Sequence, residues 1–145
     1  MATVIQDQDN KVIAHGVTPQ GFVIDLGWYL RTSRSLEELL KSRRCPTCQE
    51  AIRGKELGIT VKQHIKEISR TCSKEPGYLE DWMPIMEVIF RIMLGRGNVP
   101  MTAPEIHRAL SVHLESRTYS RVLPFHWVER LLSGDNVYGI TPVAG

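Results

Sequence analysis

All three cysteines of this 145-residue chain lie between Cys45 and Cys72, two of them in a C-P-T-C knuckle. With His64 they give the spacing C-x2-C-x15-H-x7-C through Cys45, Cys48, His64 and Cys72. A C-x2-C turn offers two thiolates from one tight reversal of the chain, and a tetrahedral zinc ion needs two more soft or borderline donors. Three thiols cannot all pair with one another, which favours a metal or a reactive thiol over a disulfide framework. His64 and Cys72 are the expected second pair. Four protein ligands leave no position for water, so the expected zinc ion holds the fold and does not catalyse.

The residues between the ligands predict local structure. "EAIRGKELGI" reads as a two-stranded hairpin turning around Arg53, Gly54 and Lys55. Thr60 and Gln63 form a capping-box pattern that starts a helix near Val61, and Val61, His64, Ile65 and Ile68 then share one face of it. This order of knuckle, hairpin and His-bearing helix resembles the ββα zinc-finger family, with Cys as the last ligand and Ile52 and Val61 at the finger's core positions. The resemblance covers residues 45–72. The gaps of 15 and 7 residues exceed the family's usual gaps of about 12 and three to five. Eight residues of unbroken helix would separate His64 from Cys72 by about 12 Å, so the helix has to unwind before Cys72. Two other readings stay open. CPTC also resembles the motif of thioredoxin-like oxidoreductases, although "LLKSRR" precedes it where that family has a buried strand, and the cysteines could be plain core thiols. The knuckle of a treble-clef nuclease would require a His-Asn-His run, which does not follow.

The net charge of +2 is unevenly spread: residues 31–75 carry eleven Lys or Arg against six Glu, and residues 1–30 one Lys against three Asp. A basic excess around the cysteines points to a polyanion. In the finger family the base-reading positions would fall on Leu57, Thr60 and Gln63, and of these only Gln63 has the reach for adenine. The expected contacts are therefore to phosphates, from Arg43, Arg44, Arg53, Lys55, Lys62, Lys66 and Arg70, with Gln63 beside them.

The whole chain reads as α+β. Residues 1–42 alternate like a β hairpin or meander and end in a short helix that Ser35 and Glu38 would start at Leu36. Residues 43–75 form the finger. Residues 83–145 give three apolar-striped helices, the second begun by Thr102 with Glu105, and a terminal "NVYGITPV" ribbon. That order resembles a winged-helix domain. On its third helix Phe125, Val128, Leu131 and Leu132 are expected in the core, His126, Glu129 and Arg130 outside, and Trp82 and Trp127 buried. No nucleophile, paired-carboxylate or further histidine constellation points to an enzyme. No apolar run reaches the roughly 18 residues of a bilayer span and the N-terminus lacks secretory features, so a cytoplasmic location and no membrane partner are expected. The expected function is nucleic-acid binding, to DNA or RNA, as a transcription regulator or accessory subunit of a nucleoprotein complex. The alternative is a protein-interaction adaptor with structural zinc, and a thiol oxidoreductase using Cys45 and Cys48 is the third class.

Overall fold

A computed structural model of the chain describes residues 20–116 and 122–143, together with the backbone of two short strands, β1 (Ile5–Gln6) and β2 (Val12–Ile13). These two pair antiparallel, Ile5 opposite Ile13. The turn residues of that hairpin, His15 and residues 117–121 of the polar loop lie outside the described residues. Among the described residues the fold is mixed α+β, with seven helices and a three-stranded antiparallel sheet.

The sheet joins the two ends of the sequence. Strand β3 (Gly21–Ile24) points Phe22 and Ile24 inward and sits between β4 (Met101–Thr102) and β5 (Ile140–Pro142). Its register sets Phe22 opposite Met101 on one side and Ile24 opposite Ile140 on the other. The terminal ribbon, which the alternation allows to be a strand or a hairpin, is one strand, β5, whose partner comes from the N-terminal segment. Asp135 explains why no second strand forms there: its carboxylate accepts the N–H groups of Val137, Tyr138 and Ile140 and so occupies donors that a hairpin would need. "DLGWYL", read as extended, is helix α1 (Leu26–Arg31), because Asp25 caps it by accepting from Gly27 N–H at 3.0 Å.

The local caps carry most of the helical structure. Ser35 accepts from Glu38 N–H and starts α2 (Leu36–Ser42). Thr60 and Gln63 make both halves of a capping box at the start of α4 (Val61–Arg70), and Thr102 and Glu105 do the same for α6 (Ala103–Glu115). The expected hairpin at 50–59 is absent. Pro46 follows Cys45 at the first helical position, where its fixed φ favours a helix, and α3 (Pro46–Ala51) results, followed by a 3₁₀ turn at Glu56–Gly58. Helix α5 (Ile85–Gly95) is the centre of the core, with Val88, Ile89, Phe90, Met93 and Leu94 at or near zero exposure. Helix α7 (Phe125–Ser133) buries Val128 and Leu132, leaves Phe125 and Leu131 half-buried, and exposes Trp127. One contiguous apolar core runs from Phe22 through Cys48 and Cys72 to Ile140. No helix of the described residues is long and apolar enough to cross a membrane.

Candidate metal centre and basic groove

Cys45 is the N-cap of α3, and Cys48 lies in the first turn of that helix, so the knuckle is a loop-to-helix corner. Cys72 arrives from the other side. Helix α4 stops at Arg70, Thr71 leaves helical geometry at φ −120° and ψ −60°, and Cys72 opens a 3₁₀ turn (Cys72–Lys74), so the helix unwinds where the ligand spacing requires. The result brings the sulfurs of Cys45, Cys48 and Cys72 within 4.8 Å of one another. Thiolates around one tetrahedral ion, with metal–sulfur bonds of about 2.3 Å, are about 3.8 Å apart, so a small contraction would seat an ion. A four-iron cluster would hold each thiolate on a different iron and spread them further. These three thiols can hold one metal ion.

Hydrogen bonds already favour thiolate character at the open edge of the cluster. The backbone N–H of Cys45 donates to Cys72 Sγ at 3.1 Å. Burial acts to raise the half-buried Cys45 thiol, but the Cys48 N–H and its two thiol neighbours outweigh that and hold it below its ordinary value. Burial pushes Cys48 up to about 12 and also raises Cys72. A cation among the three sulfurs would reverse the penalty on the two buried thiols.

His64 does not join them. It is 1 % exposed on the α4 face that meets α2, and its Nδ1 accepts from Arg44 Nε at 3.0 Å. Burial first and the Arg44 charge second lower its basicity. The helical face was legible in the sequence, but the neighbour packed against that face was not. Arg44, expected at a phosphate, is itself buried by this bond. Arg43 also turns inward, donating to Glu87 through Nε at 2.7 Å and Nη2 at 2.8 Å. Arg53 pairs with Glu50 on the surface, Lys55 is exposed, and the Gln63 side chain accepts from Thr60 N–H as part of the capping box.

The remaining cations come together. Lys62, Lys66 and Arg70 are exposed at every fourth residue of α4 and line a groove of about 440 Å³ with Leu26, Ser69 and Asn98. Among the described residues none of the three has an acidic partner within ion-pair distance. Compared with known proteins, the chain matches no family model, no curated protein and no solved structure.

Proposed function

We propose that the protein binds nucleic acid through the phosphate backbone along α4, on a scaffold pinned by a structural zinc ion. The observation that carries this reading is the row Lys62, Lys66 and Arg70 exposed along one groove, without an acidic partner among the described residues. Lys62, Lys66 and Arg70 follow one another at about 6 Å along about 12 Å of helix, so the row offers three contacts to a phosphate backbone. Zinc suits three close thiols better than a hard cation does, and the third thiol distinguishes the cluster from a two-cysteine redox pair.

The finer fold reading is a winged-helix-like unit of α5, β4, α6, α7 and β5. Strand β3 takes the middle position of its sheet, which a second wing strand would otherwise fill; the antiparallel order β4-β3-β5 supports this. Its third helix offers His126, Glu129 and Arg130 outward, a mixed face that favours positioning over base readout.

The test is binding of a mixed-sequence duplex and of a single strand at several salt concentrations. Three phosphate contacts predict a slope of log affinity against log salt near −3 on duplex, and the Lys62→Ala, Lys66→Ala, Arg70→Ala triple variant should flatten it to near zero. Undetectable binding at about 50 mM salt would sink the reading. Trp82, 73 % exposed on the loop before α5, is the feature that favours a protein-docking adaptor in that event.

A further inference from the structure

We propose that Glu67 is the fourth ligand of the metal ion, closing a site of three thiolates and one carboxylate. This rests on the metal reading of Cys45, Cys48 and Cys72, and it moves the fourth ligand away from His64.

Distance is the first argument. Around a tetrahedral zinc ion, a sulfur at about 2.3 Å and a carboxylate oxygen at about 2.0–2.2 Å lie about 3.5 Å apart. Glu67 Oε2 is 4.0 Å from Cys48 Sγ, so that pair needs to close by about 0.5 Å, and the carboxylate has to swing further toward Cys45 and Cys72, whose sulfurs cluster with Cys48 within 4.8 Å. Spacing is the second. Four residues separate Glu67 from Cys72, within the three to five that paired ligands at a helix end use, whereas seven separate His64 from Cys72. Helix α4 ends between them at Arg70, so Glu67 stands in its last turn, directly over the 3₁₀ turn that delivers Cys72.

Orientation is the third argument. Thr71 Oγ1 donates to Glu67 Oε2 at 3.1 Å, fixing the carboxylate beside the thiols. That oxygen has a second lone pair for the ion, and an outer-shell donor to a ligating carboxylate is the usual way such a ligand is held. His64 sits three residues earlier on the same helix, about 60° around it, against Arg44. To reach the ion it would have to break that bond and turn away from α2. Glu75 also lies close enough to influence Cys45 by its charge, but it is exposed and hydrogen-bonds to no thiol among the described residues. It serves as the control.

The experiment uses the full chain and zinc itself, with competition against a chromophoric chelator, zinc X-ray absorption and cobalt(II) substitution. One zinc per chain is expected, with a first shell of three sulfurs and one light atom and no imidazole scattering. Glu67→Ala should weaken zinc binding at least about tenfold, the lower end of what loss of even an outer-shell partner costs. His64→Ala and Glu75→Ala should leave zinc affinity unchanged. Glu67→Cys should restore tight binding and raise the thiolate-to-cobalt absorption to that of a four-sulfur site, a gain that misfolding cannot mimic. Wild-type affinity in Glu67→Ala, or imidazole scattering in the wild type, would overturn Glu67 as ligand while leaving the thiolate centre intact. A wild-type protein that takes up no zinc and no cobalt would overturn the centre itself.

Discussion

Arg43, two residues before the first thiol of the knuckle, grips Glu87 on the central helix α5 with both Nε and Nη2, at 2.7 and 2.8 Å. Arg91 Nε and the Tyr138 hydroxyl donate to the same carboxylate, each at 2.8 Å. One buried acid thus ties the approach to the cysteine cluster, the core helix and the turn before β5. Burial alone would raise the Glu87 carboxyl, but the bonds from Arg43, Arg91 and Tyr138 more than offset it and hold it below its ordinary value.

The first prediction follows from that sign. A carboxyl held lower in the folded state contributes stability that is complete above its unfolded value, 4.5, and is lost as pH falls through the lower folded value. Urea unfolding followed from neutral pH downward should show this acid-side loss in the wild type and a smaller one in Glu87→Gln. At neutral pH, Glu87→Ala should cost about 3–5 kcal/mol, since it removes the buried acid and leaves two half-buried guanidinium groups without their anion. An unchanged acid profile in Glu87→Gln would assign the pH dependence elsewhere.

If the cysteine cluster holds zinc as proposed, its removal should act on one part of the molecule more than on the rest. Structural zinc stabilises small folds by on the order of 10 kcal/mol, and here α3 and the end of α4 have few other ties to each other. Chelation, or Cys72→Ser, should raise hydrogen exchange across residues 44–75 and lower the melting temperature, with the exchange of α5 rising least. Cys72 is fully buried, so its serine variant also carries a desolvation cost. Chelation of the wild type is therefore the cleaner arm. Full protection of residues 44–75 after chelation would show that packing alone holds the knuckle.

How much was legible in the sequence follows the range of each interaction. The caps at Ser35, Thr60 and Thr102 were readable because each involves a side chain and an N–H three residues away. The C-x2-C knuckle and the need for α4 to unwind before Cys72 were readable for the same reason. The partner of β5 was not, because it lies at the other end of the chain and nothing in "GITPV" names it. Charge counting took Arg43 and Arg44 for surface cations, whereas burial depends on what the fold sets opposite them, Glu87 and His64. The ligand role proposed for Glu67 has no sequence signal of its own, because a single acid on a helix marks nothing until the thiols are located, and its spacing of four residues from Cys72 gains meaning only then.

Asn98 supplies the third prediction. It follows α5 at φ +60°, a left-handed conformation that asparagine tolerates better than most residues. Its side chain accepts from Ile24 N–H at 2.9 Å and donates to Ile24 C=O at 3.0 Å, taking the place of a neighbouring strand beyond the end of β4. Asn98→Ala should lose both bonds, strain the turn and cost about 2–6 kcal/mol, from about 1–3 kcal/mol for each of the two Ile24 backbone groups left unpaired. Asn98→Asp keeps the acceptor and loses the donor, so it should fall between the two in denaturant midpoint. Equal stability of Asn98→Ala and the wild type would show that water replaces the side chain at no loss.

The last prediction separates packing from recognition on α7. Leu132 is 2 % exposed in the core, and its truncation to Ala should cost about 2–5 kcal/mol. Trp127, expected from sequence to be buried, is 45 % exposed with the Arg130 guanidinium 5.3 Å from its ring centre. An aromatic ring so placed could stack on a base, a contact worth about 1–3 kcal/mol that changes affinity without changing the salt slope. The phosphate contacts proposed along α4 have the opposite signature, loss of slope together with affinity. If α4 is the main contact, Trp127→Ala should reduce single-strand affinity less than the Lys62, Lys66, Arg70 triple variant does and leave the slope unchanged. Arg130→Ala should stay within about 0.5 kcal/mol of wild-type stability, as an exposed cation usually does. A larger affinity loss from Trp127→Ala than from the triple variant, at constant slope, would make α7 and not α4 the principal nucleic-acid surface.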